Sequence, residues 1–492
     1  SNRAADLLRR AGVVPGSLVA HLGRNSLDFV VFLIGASKAR CGMVGLNWRL
    51  NARELSTVLD DCRPAAVLID AELAPLWNES TADSSTGRPR EALLLVVGDD
   101  RSVGDDRSGG ATPFREALDS ADPADPGISP EPDDIAAVFY TSGTTGAPKG
   151  AVLDTRRIGN AVRRPNTWHR MGPGTVNLAL SPVFHVAAST WVFLSVAHGA
   201  HLVLLRTASP RLIIAAIDRY AVQNALLVPA VIAMLVEDPA TAHADVSTLE
   251  IIAYGSAPIS PSLLRRATET FHCSFVQVYG MTETGGAATN LSPQDHAAGD
   301  PHRLQSAGQA LEGIEIRVVD HHTGADVATD EVGEILVRSN QNMVCYLSRP
   351  DATAETLTPD GWIRTGDAGH LDADGYLFLT DRINDMIISG GENVYPVEVE
   401  NVLNGHQAVA EAAVIGIPDP KWGEVVLAAV ILRSGATTSV DELIQWCRER
   451  LAHFKCPSRV EFVDELPRNA AGKVLRRSLR EPYWPSGRRS IG

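Results

Sequence analysis

Short apolar runs alternate with longer helix-like stretches along most of this chain, and that alternation limits the folds open to it more than any other feature. Residues 4–10 read as a helix ending at Gly12, residues 18–22 as a strand, and a second apolar helix runs from Ser26 toward Lys38. Residues 43–46 then look extended. Asn51 with Glu54 three residues on has the form of a capping box, and residues 65–69 resemble a buried strand. Strands and helices at this spacing predict a parallel sheet covered by helices. The alternation resumes through about residue 280, with strands expected at 202–205, 225–228, 251–253 and 275–278. Between these halves, residues 98–134 are rich in Asp, Gly, Pro and Ser with weak periodicity, and read as a surface connection. From Ile314 the texture changes to short extended pieces, 314–319 and 334–338, which predict a small β-rich unit. The last hundred residues mix helices and short strands. Their clearest helix starts at Ser439, with Glu442 three residues on and Val440, Leu443, Cys447 and Leu451 along one face.

A length of 492 residues suits two to four domains. The net charge of −15 gives no general attraction for nucleic acid or an anionic membrane, so an anionic ligand needs a local site and no nucleic-acid partner is expected. Apolar stretches such as 225–235 fall short of the roughly 18 residues that span a bilayer, and no signal-peptide pattern opens the sequence. The six Cys contain no CxxC pair, which argues against a disulfide framework or a zinc module, and the 14 His show no HExxH spacing. A cytoplasmic protein is the expectation. Only five of the 44 basic residues are Lys: Lys38, Lys149, Lys421, Lys455 and Lys473. Lys is a compact charge on a flexible stem, which Arg does not copy where space is tight.

One of those lysines sits in "TSGTTGAPKG", residues 141–150. Residues 135–140 read as a buried strand, so this glycine- and hydroxyl-rich stretch leaves a strand end, where backbone amides and small side chains approach phosphate oxygens. Glycine supplies bends and hydroxyls supply donors. It is not the P-loop pattern GxxxxGK[ST], because Lys149 is followed by Gly150 and residues 151–153 look extended instead of opening a helix. A surface linker has similar composition, so the loop alone is weak evidence. "DADG" at 372–375 begins like a calcium loop, but the "YLFLT" after it is a strand, and a hairpin turn is expected.

"YTSGTTGAPKG" resembles the phosphate loop of the adenylate-forming superfamily. "YGMTET" at 279–284, "GWIRTGD" at 361–367, "DRINDMIISGGENVYP" at 381–396 and "PRNAAGKVLRR" at 467–477 match the rest of that family's signature in order. Acyl-CoA synthetases are the members most similar in "SGGENVYP" and in "PDPKWGE" at 418–424. The resemblance implies an α/β protein: a large N-terminal domain, 1–381, of two α/β subdomains plus a small β-rich barrel-like unit, then a hinge at 382–384 and a mobile α+β C-terminal domain, 385–492. It also implies that the chain begins inside the family's first helix. Thr141, Ser142, Gly143, Thr144, Thr145 and Lys149 would hold phosphates. Gly255, Ser256 and Ala257 of "YGSAPIS" would leave room for adenine, with Tyr279 and Gly280 also at the nucleotide. Thr282 would contact a phosphate, and Glu283 would offer Mg²⁺ a hard carboxylate. Asp367 and Arg382 would reach the ribose. Lys473 matches the catalytic lysine, a mobile cation that bridges two anions as a carboxylate attacks the α-phosphate. Gly390 and Gly391 would let the pantetheine thiol pass.

Amino-acid-activating relatives place an Asp shortly after the Phe of the segment matching "SPVFHVAAST". Here Phe184 is followed by His185, Val186 and two Ala, and an unpaired buried ammonium would cost several kcal/mol. The expected substrate is therefore a carboxylic acid without an α-amino group, fatty, aryl or polycyclic, with His185 as the gate beside its pocket. With no carrier-protein motif in the sequence, coenzyme A is the expected acceptor, and ATP and Mg²⁺ the expected partners of the first step; a homodimer is compatible. A family member running one half-reaction, one passing its product to a carrier protein, or a non-catalytic nucleotide-binding protein are the alternatives. The hinge is usually Lys or Asp, and Asn384 there leads to the expectation of an altered balance between half-reactions.

Overall fold

Ser26 accepts a hydrogen bond from the Phe29 amide and starts the helix Leu27–Lys38, while Asn51 and Glu54 form the reciprocal capping box of Ala52–Cys62. These helices belong to a computed structural model that describes residues 1–82, 92–98, 111–141, 148–164, 171–257, 259–321, 323–382, 385–389, 392–419, 422–468 and 474–484. It divides into two compact units, Ser1–Ile316 with Leu336–Thr365, and Arg317–Ile335 with Gly366–Gly492.

The first unit carries two sheets. In the first are β1 (Leu18–Leu22), β2 (Gly42–Gly45), β3 (Ala66–Asp70), β4 (Leu93–Val97), β5 (Thr112–Pro113), β6 (Ile135–Thr141), β7 (Lys149–Asp154) and a later two-residue strand, Cys345–Tyr346. Their spatial order is Cys345–Tyr346, β7, β6, β2, β1, β3, β4, β5. β1 is parallel to both β2 and β3 and is almost wholly buried, the pattern of a strand covered on both faces. The second sheet holds β8 (Val176–Ala179), β9 (His201–Leu204), β10 (Asn224–Leu227), β11 (Ile251–Gly255), β12 (Ser274–Met281), β13 (Gly286–Leu291) and β14 (Gln309–Ala310), ordered β14-β13-β12-β11-β10-β8-β9. β8 through β12 pair in parallel, so β11 and β12 present neighbouring carboxyl ends, where ligands bind in open α/β sheets.

The expectation of a mere surface connection over 98–134 needs correction. Within it, β5 leads into the helix Phe114–Asp119, and Phe114 is fully buried, edge-on to Phe32 at 5.9 Å. Six helical residues are too few to show a period against turn-rich flanks.

The expected β-rich texture corresponds to a four-stranded sheet of Ile314–Val319, Gly333–Ser339, Trp362–Leu371 and Leu377–Arg382. "DADG" is a hairpin turn: Asp372 Oδ1 accepts from the Asp374 and Tyr376 amides, and Gly375 takes a φ of +80°. The remainder of the second unit is α+β. Val409–Asp419 and Gly423–Leu432 form a long antiparallel pair, flanked by Ile387–Ser389, Glu392–Val394 and Arg459–Phe462. The helix Val440–Arg448 is capped by Ser439, in keeping with its sequence, and Leu443 and Cys447 are fully buried.

Candidate active site

Thr141 ends β6 and Lys149 opens β7, and the two are cross-strand partners, with Thr141 Oγ1 donating to the Lys149 carbonyl at 3.4 Å. The lysine therefore sits on a strand, as the extended look of 151–153 implies, and not at a helix start. Ser142, Gly143, Thr144 and Thr145, which join the two strands, lie outside the described residues. The base of this hairpin is tied down from below. The Tyr140 hydroxyl donates to Asp61 Oδ2 at 2.7 Å, and Asp61 in turn pairs with Arg349 at 3.3 Å. Burial and the neighbouring Cys62 and Asp61 push the Tyr140 phenol well up, which keeps it a donor. A Cβ on Gly150 would stand 3.0 Å from the Tyr140 ring, so glycine lets that ring cross the hairpin.

The segment "YGMTETGG" turns from β12 into β13 in very little space. A Cβ on Gly280 would overlap the Gly286 carbonyl, and one on Gly285, whose φ is +69°, would overlap the Gln341 carbonyl. Thr284 Oγ1 accepts from the Met281 amide at 3.0 Å and lies 2.8 Å from the Gly286 carbonyl, closing the turn. Half-buried Thr282 and buried Glu283 are thereby held at the carboxyl end of β12. The Met343 amide donates to the Glu283 carbonyl at 2.8 Å, and the Tyr346 hydroxyl donates to Glu283 Oε1 at 2.5 Å. Lys149 Nζ stands 5.2 Å from the centre of the same Tyr346 ring. One tyrosine thus links Lys149 to the acid 134 positions downstream. Sequence reading misses Tyr346. The short apolar run "MVCYL" between Asn342 and Ser348 is a strand pattern, but nothing local in it points to Glu283.

Next door, β11 ends at Gly255, paired with Val278; a Cβ there would overlap the Val278 carbonyl. Ser256 comes next in the left-handed region at φ 67°, then exposed Ala257, so this small-residue edge lies beside Tyr279 and Gly280. His185 stands at the N-cap position of the helix Val186–Ala197 without a side-chain capping bond, its ring centroid 4.4 Å from that of Phe184. Burial, with a contribution from Arg49, lowers its imidazole to about 4, so the ring is neutral at neutral pH; its Nε2 has no hydrogen-bond partner among the described residues.

In the second unit, Asp367 and Arg382 face each other in register across the hairpin of Trp362–Leu371 and Leu377–Arg382. Asn384, Gly390, Gly391 and Lys473 lie outside the described residues. The described residues on either side of Lys473 are joined by hydrogen bonds: Arg468 and Val474 form an antiparallel bridge, and the Leu475 amide donates to the Pro467 carbonyl at 2.7 Å.

Among the described residues no group of three or more His, Cys, Asp or Glu could hold a metal. A single buried carboxylate such as Glu283 nevertheless suits Mg²⁺, which keeps waters and substrate phosphates as most of its ligands. No helix among the described residues is long and apolar enough to cross a membrane.

Comparison with known proteins gives the family. Residues 1–347 match the AMP-binding enzyme family, and residues 398–473 match the AMP-binding enzyme C-terminal domain. The chain is 37% identical to a fatty acid–[acyl-carrier-protein] ligase of Streptomyces coeruleorubidus, covering 100% of this chain and 91% of that one. It is 36% identical to a feruloyl-CoA synthase of an Amycolatopsis species, covering 98% and 92%. Among solved structures, ATP-bound MatB from Rhodopseudomonas palustris superposes with a TM-score of 0.87 at 28% identity, over 98% of this chain and 92% of that one. The protein belongs to the AMP-binding enzyme family, in the acyl-CoA synthetase branch of the adenylate-forming enzymes.

Proposed function

We propose that the protein is an ATP-dependent ligase that joins a carboxylic acid without an α-amino group, fatty, aryl or polycyclic, to coenzyme A. The observation that carries this reading is the placement of Lys149, at the end of the glycine- and hydroxyl-rich loop, and of a buried acid, Glu283, on the face and the tip of one tyrosine. Thr141 to Thr145 and Lys149 hold the phosphates of ATP. Gly255, Ser256 and Ala257, with Tyr279 and Gly280, receive the adenine, and Asp367 and Arg382 the ribose. Thr282 donates to a phosphate. Glu283 holds Mg²⁺, which supplies charge neutralisation of the phosphates when bound.

In the first step a carboxylate oxygen of the acid bonds to the α-phosphorus and the bond to the bridging oxygen breaks, so pyrophosphate leaves and an acyl-adenylate remains. Lys473 brings its ammonium against the two anions as they meet. In the second, the coenzyme A sulfur attacks the acyl carbon and AMP leaves. A turn of the C-terminal domain, 385–492, about the hinge at 382–384 exchanges Lys473 for the Gly390–Gly391 passage between the two. His185, neutral and with no charge to offer, acts as a gate beside an apolar acyl group. A cytoplasmic site of action follows from the use of ATP and coenzyme A.

The relative that acts on an acyl carrier protein supports a second reading, in which the acceptor thiol is carried by a protein. Pyrophosphate release with a panel of acids, then thioester formation with coenzyme A or with a carrier protein, decides between them. Acid-dependent pyrophosphate release is expected throughout, and thioester with coenzyme A. Thioester with the carrier protein alone would favour the second reading; no release with any acid would remove both.

Asn384 lacks the charge usual at the hinge, so the ratio of adenylation to thioester formation is expected to shift toward the family's norm in Asn384→Lys. Separate assays of pyrophosphate exchange and of thioester formation from preformed acyl-adenylate read that ratio. An unchanged ratio would remove the role assigned to position 384.

A further inference from the structure

The strand Cys345–Tyr346 adds to the edge of the first sheet beside β7, and the segment around it touches both sides of the phosphate site. Tyr346 pairs with Ala151, Val344 donates to the Val152 carbonyl at 2.8 Å, and Leu347 donates to the Gly150 carbonyl at 2.7 Å. The Met343 amide holds the Glu283 carbonyl, and Arg349 holds Asp61, which holds Tyr140. At the centre of these contacts Tyr346 is only 5% exposed. Its ring lies under the Lys149 ammonium, and its hydroxyl donates a short, charge-assisted hydrogen bond to Glu283 Oε1.

We propose that Tyr346 is a positioning residue of the adenylation site, a spacer that fixes the Glu283 carboxylate toward the phosphate-bound cation and keeps it from pairing with Lys149. This inference rests on the metal-holding role of Glu283 in the proposed function. Its physical basis is the danger of self-neutralisation. A lysine and a carboxylate that both contact one buried ring, in a partly desolvated site, attract each other strongly. A direct ion pair would take the cation from the phosphates and the carboxylate from the metal at once. An aromatic ring with a hydroxyl at its tip prevents this with a single side chain, because its face seats the ammonium while its tip holds one carboxylate oxygen. The rigid backing for that side chain comes from the strand pairing with β7, whose first residue is Lys149 itself.

Tyr346→Phe keeps the ring and removes only the hydroxyl, and Tyr346→Leu removes both functions. Calorimetric titration of the full chain with ATP, in Mg²⁺ and in EDTA, reads binding without turnover. The Phe variant is expected to lose about tenfold in MgATP affinity, the scale of a lost hydrogen bond to a charged group, with its affinity for metal-free ATP unchanged. The Leu variant is expected to weaken in both conditions, because the seat of Lys149 is lost as well. Glu283→Gln should remove most of the Mg²⁺ dependence, and adding Tyr346→Phe to it should change nothing further. Wild-type MgATP affinity in the Phe variant, additive effects in the double variant, or a Phe variant that fails to fold would each overturn the proposal, the last by making the hydroxyl structural. If instead Glu283→Gln leaves the Mg²⁺ dependence intact, the metal role of Glu283 fails, and that result is separate from any result with the Phe variant alone.

Discussion

Lys473→Ala is expected to lower acyl-adenylate formation by about 10²–10³-fold, the scale of a group that stabilises charge only in the transition state, while thioester formation from preformed acyl-adenylate stays near the wild-type rate. The asymmetry follows from the charges involved. Carboxylate attack on the α-phosphate gathers negative charge that only a close cation offsets, whereas the thioester step expels AMP and meets no such crowding. The flanks of the lysine support a role that depends on accurate delivery. Residues 469–473 lie in sequence between Arg468 and Val474, which form a β-bridge, and the Leu475 amide reaches back to Pro467. In a chain that supplies almost all its positive charge as Arg, a Lys at this position stands out, since its ammonium is a compact point charge on a flexible stem, which a planar guanidinium does not copy. Pyrophosphate exchange and the thioester half-reaction, measured separately on the same preparation, check the prediction. Equal loss in both would place Lys473 in general stability and not in the first step.

Much of the frame is legible because it is local. The buried strand β1 is a continuous apolar run, the box at Asn51 and Glu54 is a four-residue pattern, and "DADG" before an alternating strand is a turn. One residue, the Gly after Lys149, is enough to exclude the P-loop, and the strand β7 bears that out. The contacts that sequence does not disclose are long-range. The hydroxyl of Tyr346 meets Glu283 across 63 positions, and Tyr140 meets Asp61 across 79, so neither contact leaves a periodic trace. Phe114 is hidden for a different reason, in that its helix has fewer than two turns and sits in turn-rich sequence. Motif resemblance locates Gly280 and Glu283, but the reason glycine is required at 280, a Cβ overlapping the Gly286 carbonyl, belongs to the turn geometry alone. The motif residues are thus visible in sequence, whereas the residues that hold them in place are not.

The helix Arg476–Arg480, just after Lys473 in the chain, is held by a cluster of charges within the second unit, and breaking that cluster is expected to be among the most damaging single changes there. Arg476 Nη2 lies 2.9 Å from both Glu400 carboxylate oxygens and its Nη1 3.4 Å from Asp385, while Arg480 Nη2 reaches Asp385 at 2.7 Å. Only 12–16% of any of these four side chains is exposed. Glu400 also accepts from the Val414 amide at 2.7 Å, which ties the cluster to the long strand pair. Arg476→Ala takes the forked cation from largely buried Glu400 and leaves Asp385 to Arg480 alone, a change that costs about 3–5 kcal/mol. Arg476→Lys should recover only part of it, because one ammonium does not make the forked contact with Glu400. Arg477, 69% exposed on the same helix, serves as the control, and its Ala variant should stay within about 0.5 kcal/mol. Native-state hydrogen exchange over Val409–Asp419 reads the second unit separately from the first, which a single melting curve of a chain this large does not. The adenylation rate should fall alongside the lost protection in Arg476→Ala, since the anchored helix adjoins the Lys473 segment in the chain, and thioester formation should fall less. Protection equal to wild type in Arg476→Ala would mean that the cluster is solvated in practice and that the Lys473 segment is held by the Arg468–Val474 bridge instead.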